Sequence, residues 1–541
     1  MEKKRRNEYL HIGRASDLSG SDRTLYRFFE TIPGILSVGT LIVFIILSFF
    51  IPKIVAYFTI GFSAYWLFKT IFLTIHLRHS FHRLRHNLTI DWSERLTKLR
   101  ADDVHHVVIF PFYKEPYEVL YESVRALAES RFNTKQIAVV LGAEERAGTE
   151  AYEIAQRVQE AFQDTFLEII ITVHPADIVG EIAGKGSNIA HAAREATKRV
   201  VDTHGFAYEN VLVSAFDADT VIYPDYFSCV TWNFLTTEDA QHASFQPVPL
   251  YNNNIWSSPT LSRILAYSST FWQLIQQERP ERLSTFSSHA IPLKALVEAD
   301  YWQRNMVNED SRIFFNLFMH YDGNYRVVPI LYPVSMDANV GPGFFSTASR
   351  LYKQHLRWMY GSAENIPYLM FHFIKNSRIP LRKKIHLLGV HIEGAWSLAV
   401  QPLFLFAVGW LPLLIGGAAF NATVLSYNLP IISSWFLTAA MLGLVFLAIY
   451  GMRLMPVRPK NHSRFAFVRL WLQWLLVPFT MIIFSAIPGI EAQLRLAFKK
   501  YIGFWVTPKS RENNTEGNPS VLSNRRMEQT LFTPKSREGN V

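Results

Sequence analysis

Cysteine is almost missing from this chain: Cys229 is the only one in 541 residues. A disulfide framework and a cysteine zinc site are both excluded, so the redox compartment has to come from topology. Charge is scarce too. Asp, Glu, Lys and Arg make up 18% of the residues, against roughly 25% in soluble proteins, while apolar residues reach 49%. That shift points to a membrane protein. Acidic residues are outnumbered 45 to 54 by basic ones, for a net charge of +9. Nucleic acid, anionic lipid and phosphorylated substrates would all suit that balance. The basic residues collect beside apolar segments, however, which favours membrane lipid over nucleic acid.

The apolar residues are gathered in long runs. Ile32 to Ile51 has 20 residues without a charge, enough for about 30 Å of hydrocarbon. After Pro52-Lys53, Ile54 to Leu77 forms a second run carrying only Lys69 and His76, so the two predict a helical hairpin. The run starts too far in, and is too long, for a secretory signal peptide. Lys3 to Arg6 and then Arg78, Arg83 and Arg85 place both ends of the hairpin in the cytoplasm, at a plasma (inner) membrane. Further spans are expected at Leu387 to Ile415, Leu429 to Tyr450 and Leu470 to Ile487, the last interrupted by Pro478, and an interfacial helix at Ile366 to Ile374. Three such spans would leave the tail outside, whereas Lys499, Lys500 and Lys509 argue for inside. His76, His79, His82 and His86 share a helical face, which reads as a basic face near headgroups rather than a metal site.

Between the two apolar groups the pattern changes. Val104 to Pro111, Gln136 to Gly142, Phe166 to Val173 and Val211 to Phe216 read as buried strands. Helical stretches separate them at Tyr117 to Ser130, Glu150 to Phe162 and Ser187 to Val201. This alternation predicts an α/β domain with a mainly parallel sheet, whose ligands sit beyond the carboxyl ends of the strands. Glu144-Glu145 follows the second strand and Asp217-Ala-Asp219 the fourth.

Each polar cluster carries a chemistry and a blander alternative. Asp217 and Asp219 suit Mg2+ or Mn2+ bridged to substrate phosphates, or a solvated turn. Gly184-Lys185-Gly186 before a helix suits a phosphate, or a flexible turn. Asn308-Glu309-Asp310 caps a helix through Ile313 to Met319, a position that also keeps a carboxylate ionised and available as a base. Gln354, Arg357 and Trp358 share one helix face, where an amide, a guanidinium and an indole suit sugar hydroxyls, a diphosphate and a pyranose ring. A tryptophan anchor at a membrane surface is the alternative.

Taken together in this order, the chain resembles the family 2 glycosyltransferases, in the membrane branch that includes cellulose, chitin and hyaluronan synthases. The likeness is carried by Pro111-x-x-x-Glu115, Gly184-Lys185-Gly186, Asp217-Ala-Asp219, Asn308-Glu309-Asp310, Gln354-x-x-Arg357-Trp358 and Phe504-Trp-Val506-Thr507-Pro-Lys509. The resemblance covers roughly residues 30 to 510. It implies a GT-A (Rossmann-like) fold, a nucleotide-sugar donor, UDP-linked in most relatives, and an inverting displacement. It further implies that Asp217 and Asp219 hold the metal and diphosphate and that Asp310 is the catalytic base. Glu115, Glu144, Lys185, Arg357, Thr507 and Lys509 would then bind the nucleotide or its diphosphate, and Gln354 and Trp358 the acceptor, either a growing polysaccharide or a membrane lipid. Glu144-Glu145 stands where relatives carry an aspartate, and Asn308 where they carry threonine. A catalytically silent scaffold would have lost the base or the metal carboxylates, and neither is lost.

The expected organisation is a cytoplasmic segment 1–31, a transmembrane hairpin 32–77, a transferase domain 100–365, interfacial and transmembrane helices 366–500, and a gating-loop-like segment with a polar tail 501–541. Within that tail Thr507 to Glu512 recurs at Thr533 to Glu538, read as a duplication and given no site.

Overall fold

The structure, a computed structural model, describes residues 9–457 and 466–505. One eight-stranded sheet organises it: β1 His105–Pro111, β2 Ile137–Glu144, β3 Glu168–His174, β4 Val211–Ala215, β5 Val221–Ile222, β6 Ala243–Leu250, β7 Ala290–Pro292 and β8 Arg326–Ser335. Their order is β3-β2-β1-β4-β7-β6-β8-β5. The first four strands lie within two residues of the predicted ends, and their three pairings are parallel as expected. Near-continuous runs of Val, Ile, Leu and Ala explain why: such strands need cover on both faces. Val108, Phe110, Val139 and Leu141 pack into the core on one side, and Val107, Ile109, Ala138 and Val140 into the core on the other.

The second half of the sheet was not anticipated. β7 runs antiparallel to β4 and pairs antiparallel with β6, β6 and β8 are parallel, and β5 closes the edge antiparallel to β8. β2 and β3 lie to one side of β1 and β4 to the other. The connection order therefore reverses between β1 and β4, the position where sheets of this class open a crevice for ligands.

Among the described residues, the helices around the sheet and the site include α1 Gly20–Phe50, α2 Pro52–Asn87, α3 Lys185–Ala196, α4 Thr260–Gln277, α5 Glu309–His320, α6 Phe344–Lys375, α7 Leu381–Phe406, α8 Val424–Leu454 and α9 Ile487–Ala497. The chain has the expected class, α/β with apolar helices before and after the sheet. Among the described residues α1, α2, α8 and the stretch Val468–Ala497 are long and apolar enough to cross a membrane. α7 followed by Val408–Ile415 is a fifth candidate, bent by 41°. The break falls at Ala407, whose φ of −140° and ψ of −68° leave the helical region. The expected interfacial helix Ile366 to Ile374 is the last part of the longer α6.

Val468–Ala497 is a chain of short helical pieces, with Pro478 and Pro488 each opening one. Near its start, Gln473 accepts a hydrogen bond from Arg263 of α4 at 3.1 Å. Phe484 lies 6.3 Å from His355 of α6. At its end the Leu496 carbonyl accepts from Arg27 of α1 at 3.0 Å. The start and middle thus touch α4 and α6, which flank the sheet, and the end meets the N-terminal part of α1.

That part of α1 is tied to the sheet as well. Residues 9–17 form an arm against α5 and α6: Arg312 donates to the Ile12 carbonyl at 3.2 Å and Tyr368 to that of Leu10 at 3.3 Å. Glu30 of α1 accepts from the Ala15 amide at 3.1 Å and from the Tyr501 hydroxyl at 3.0 Å. The two ends of the described chain meet there.

Candidate active site

The crevice beyond β1 and β4 collects the predicted residues. Glu115, Glu144, Lys185, Asp217, Asp310, Gln354, Arg357 and Trp358 all line one cavity. Asp217 reaches it from the turn after β4. Lys185 is the first residue of α3 and Asp310 the second of α5, so both come from helix N-termini, where orphan N–H groups favour anions.

Lys185 is the hub. Its Nζ lies 2.6 Å from Asp217 Oδ1 and 2.8 Å from Asp310 Oδ2, with Glu309 Oε1 at 3.7 Å. Burial alone would depress its ammonium, but the charges of Asp217, Asp310 and Glu309 outweigh that and hold its pKa above the ordinary lysine value. Glu309, next in the chain to Asp310, is buried. Burial first, and then the Asp310 charge, push its carboxyl up to about 7, with Lys185 and Arg357 pulling the other way. Ser287 donates to Asp217 Oδ2 at 2.7 Å. Tyr251 stands on the wall with its phenol held protonated, mainly by burial and then by Asp217, Asp219 and Asp310.

The two aspartates of Asp217-Ala-Asp219 part company. Asp219 is fully buried and is absent from the cavity wall. Its Oδ2 accepts the Asp337 amide at 2.9 Å. Asp337, just past β8, lines the cavity, and Asn253 ties the pair by donating to Asp337 Oδ1 and to the Asp219 carbonyl, both at 2.9 Å. Among the described residues no three His, Cys, Asp or Glu side chains are grouped to hold a metal ion by themselves. Carboxylates on the wall beside a lysine fit a Mg2+ or Mn2+ that takes most of its oxygens from water and substrate phosphate.

At one end of the cavity, Glu115 Oε2 accepts the amides of Tyr113 and Lys114 at 2.6 and 3.1 Å, so it shapes the turn after β1 as well as facing the cavity. Glu144 ends β2, buried and paired with Arg146, whose guanidinium lies 4.4 Å over the Tyr113 ring. Glu145 turns away to accept the Ala176 amide at 2.8 Å.

At the opposite end, α6 presents Gln354, Arg357 and Trp358 together, as the spacing predicts. Gln354 Oε1 accepts from Asn339 at 3.2 Å. Trp358 meets Phe286 edge-on, ring centres 6.2 Å apart at 69°. The Arg357 guanidinium lies 4.5 Å over the Phe504 ring. Phe504 is a roof that needs Gly184: a Cβ there would stand 2.5 Å from the ring. Thr507 and Lys509 lie outside the described residues.

Asp337, Ser287, Phe286, Tyr251 and Asn253 were missed. For Asp337 the signal existed, because it follows a strand end as Asp217 does. Residues 326–335 were not read as a strand, so the carboxylate beyond them drew no notice. Ser287 and Phe286 sit in a polar loop with no motif to mark them.

Residues 212–487 match the family model described as Glycosyl transferase family group 2. No curated protein matches the chain. Among solved structures the chain is similar to mannosyltransferase PcManGT from Pyrobaculum calidifontis in complex with GDP-Man and Mn2+, at 13% identity and a TM-score of 0.41, over 81% of this chain and 100% of that one. It is also similar to S. aureus TarS 1-349 in complex with UDP-GlcNAc, at 12% identity and a TM-score of 0.35, over 70% of this chain and 91% of that one.

Proposed function

From the premise that this chain belongs to glycosyl transferase family group 2, we propose that it is a membrane-embedded, inverting transferase that moves a sugar from a nucleotide-sugar donor to a growing β-linked polysaccharide. One observation carries the reading. A carboxylate after β4, a lysine opening α3 and a carboxylate opening α5 converge within 3.0 Å contacts, in a cavity whose far wall is Gln354, Arg357 and Trp358.

Each residue has a part. Asp310 accepts the proton of the acceptor hydroxyl as that oxygen bonds to the anomeric carbon from the face opposite the diphosphate. The bond from the anomeric carbon to the diphosphate oxygen breaks, and its electron pair leaves with the nucleoside diphosphate. Asp217 and Asp337 would hold Mg2+ or Mn2+, which when bound neutralises charge on the departing diphosphate. Asp219 braces Asp337 from below. Lys185 and Arg357 take up diphosphate charge, and Glu115 and Glu144 border the nucleotide. Trp358 offers a flat apolar face to the acceptor sugar and Gln354 an amide to its hydroxyls. Thr507 and Lys509 are assigned to the donor by the resemblance alone.

We place the sheet on the cytoplasmic side of the plasma (inner) membrane, because Arg78, Arg83 and Arg85 at the end of α2 and Arg382, Lys383 and Lys384 at the start of α7 are all on that side. Residues 32–77 would be a membrane hairpin and 100–365 the transferase domain. With Val468–Ala497 lying along the base of the bundle, the crossings would be α1, α2, α7 with its bent extension, and α8. That even count brings Tyr501 back beside the site, in accord with Lys499 and Lys500. The branch of cellulose, chitin and hyaluronan synthases is favoured by the Gln354-x-x-Arg357-Trp358 face.

The test is release of nucleoside diphosphate from a panel of UDP- and GDP-sugars by membranes carrying the protein, with Asp310→Asn as control. The variant is expected to lose about 10²- to 10⁴-fold in rate while still binding UDP or GDP. Turnover equal to wild type, or no turnover of any donor by wild type, would overturn the mechanism. A ladder of long chains identifies a polymerase, and a single shifted lipid band a lipid transferase.

A further inference from the structure

Residues 278–289, between α4 and β7, are fastened at both ends to different parts of the molecule. The first half is held by the apolar helices. Glu278 pairs with His79 at 2.8 Å and Arg83 at 3.2 Å on α2, and Arg279 lies 5.4 Å over the Phe72 ring. His386 of α7 contacts the Glu281 carbonyl at 3.1 Å. The second half is part of the site. Ser287 donates to Asp217, and Phe286 packs on Trp358.

Glu393 joins the two. It is the only charged residue from Leu387 to Ile415, and Lys69 the only Asp, Glu, Lys or Arg from Ile54 to Leu77. Charges in such runs are costly unless paired. Glu393 Oε2 takes Arg282 of the loop at 2.7 Å, while Oε1 takes Lys69 of α2 at 3.4 Å and the Ser397 hydroxyl at 3.2 Å. Lys69 also reaches Gln401 at 3.4 Å. Arg282 and Phe286 are four positions apart, so at most about 14 Å of extended chain lies between the residue that meets Glu393 and the residue that meets Trp358.

We propose that Glu393 is a positioning residue for the transfer reaction. By holding Arg282 and Lys69 together it fixes the loop, and through the loop it sets Ser287 on Asp217 and Phe286 against Trp358. The spacing of α2 and α7 is thereby linked to the geometry of the metal and acceptor ends of the cavity. The consequence for metal binding rests on the transferase reading above; the link between Glu393 and the loop does not.

The test uses the full chain in detergent micelles, as wild type, E393Q, R282M and the double variant. Amide hydrogen exchange across 283–289 and Mn2+ affinity by electron paramagnetic resonance are both measured. Each single variant is expected to speed exchange about tenfold and weaken Mn2+ binding about fivefold, with the double no worse than either, because both cut one link. Unchanged exchange in the single variants, or additive losses in the double, overturns the proposal. R282M lies outside the helices, so a poorly folded E393Q still leaves a decisive variant. Wild type that fails to bind Mn2+ defeats the metal reading of Asp217, while the exchange result still decides the role of Glu393.

Discussion

The Lys185 ammonium stands 2.8 Å from the Asp310 carboxylate, although the two residues open different helices 125 positions apart. The same nitrogen holds Asp217, so one cation ties together the carboxylates that open α5 and follow β4. Removing it takes away the cation that Asp217, Asp310 and Glu309 share. Lys185→Met is expected to lower the transfer rate by about 10²- to 10³-fold, read as nucleoside diphosphate release. Lys185→Arg keeps the charge but brings a planar fork to a point-charge site, and should fall between the two.

Asp337 and Asp219 should separate by assay. Chelating divalent cations is expected to abolish turnover, and Mn2+ or Mg2+ to restore it. Asp337→Asn should raise the metal concentration for half-maximal turnover by about tenfold or more, with little change in thermal midpoint. Asp219→Ala removes the buried acceptor of the Asp337 amide and should cost about 1–3 kcal/mol of stability, seen as a lower midpoint.

Gly184 and Phe504 form a pair that a double-mutant cycle can read. Gly184→Ala puts a methyl group into the Phe504 ring and should cost about 1–3 kcal/mol through overpacking. Phe504→Ala in the same chain should relieve most of that cost. Nucleotide affinity should stay low in the double variant, because the roof is then gone.

Glu364 is a buried carboxyl in α6. Burial raises its pKa to about 7, with Arg312 and then Arg14 opposing. A raised folded pKa means that the folded protein binds the proton more tightly than the unfolded one. The associated stability is therefore complete below about pH 4.5 and lost as pH rises through about 7. Glu364→Gln should be near neutral at pH 4.5 and raise the thermal midpoint at pH 8.5, with about 3 kcal/mol as the upper bound. Melting curves of both proteins at the two pH values check this.

Legibility followed how local the physics was. The strands from His105 to Ala215 could be read because uninterrupted Val, Ile and Ala runs alternate with amphipathic helices. Asp217 could be found because it stands directly past such a strand. Asp219 looked equivalent from two residues away, but a turn sends its side chain inward to the Asp337 amide, a partner 118 positions off. Ser287 and Phe286 matter only because the loop crosses the mouth of β4, which no local pattern records. Val468–Ala497 has the length and composition of a span, as the sequence predicts, but its contacts with Arg263 and Arg27, more than 200 and 400 positions earlier, leave no mark in the local pattern.

The hydrogen bond between Glu30 and Tyr501 has a consequence in time. Its partners are 471 positions apart, so at about 5–20 residues per second the ribosome needs on the order of 25–90 s to make the second after the first. Until then Phe504 cannot be in place over Arg357. A nascent chain can therefore form the strands of its sheet with the site still open, and the site is completed only once Tyr501 and Phe504 have been made.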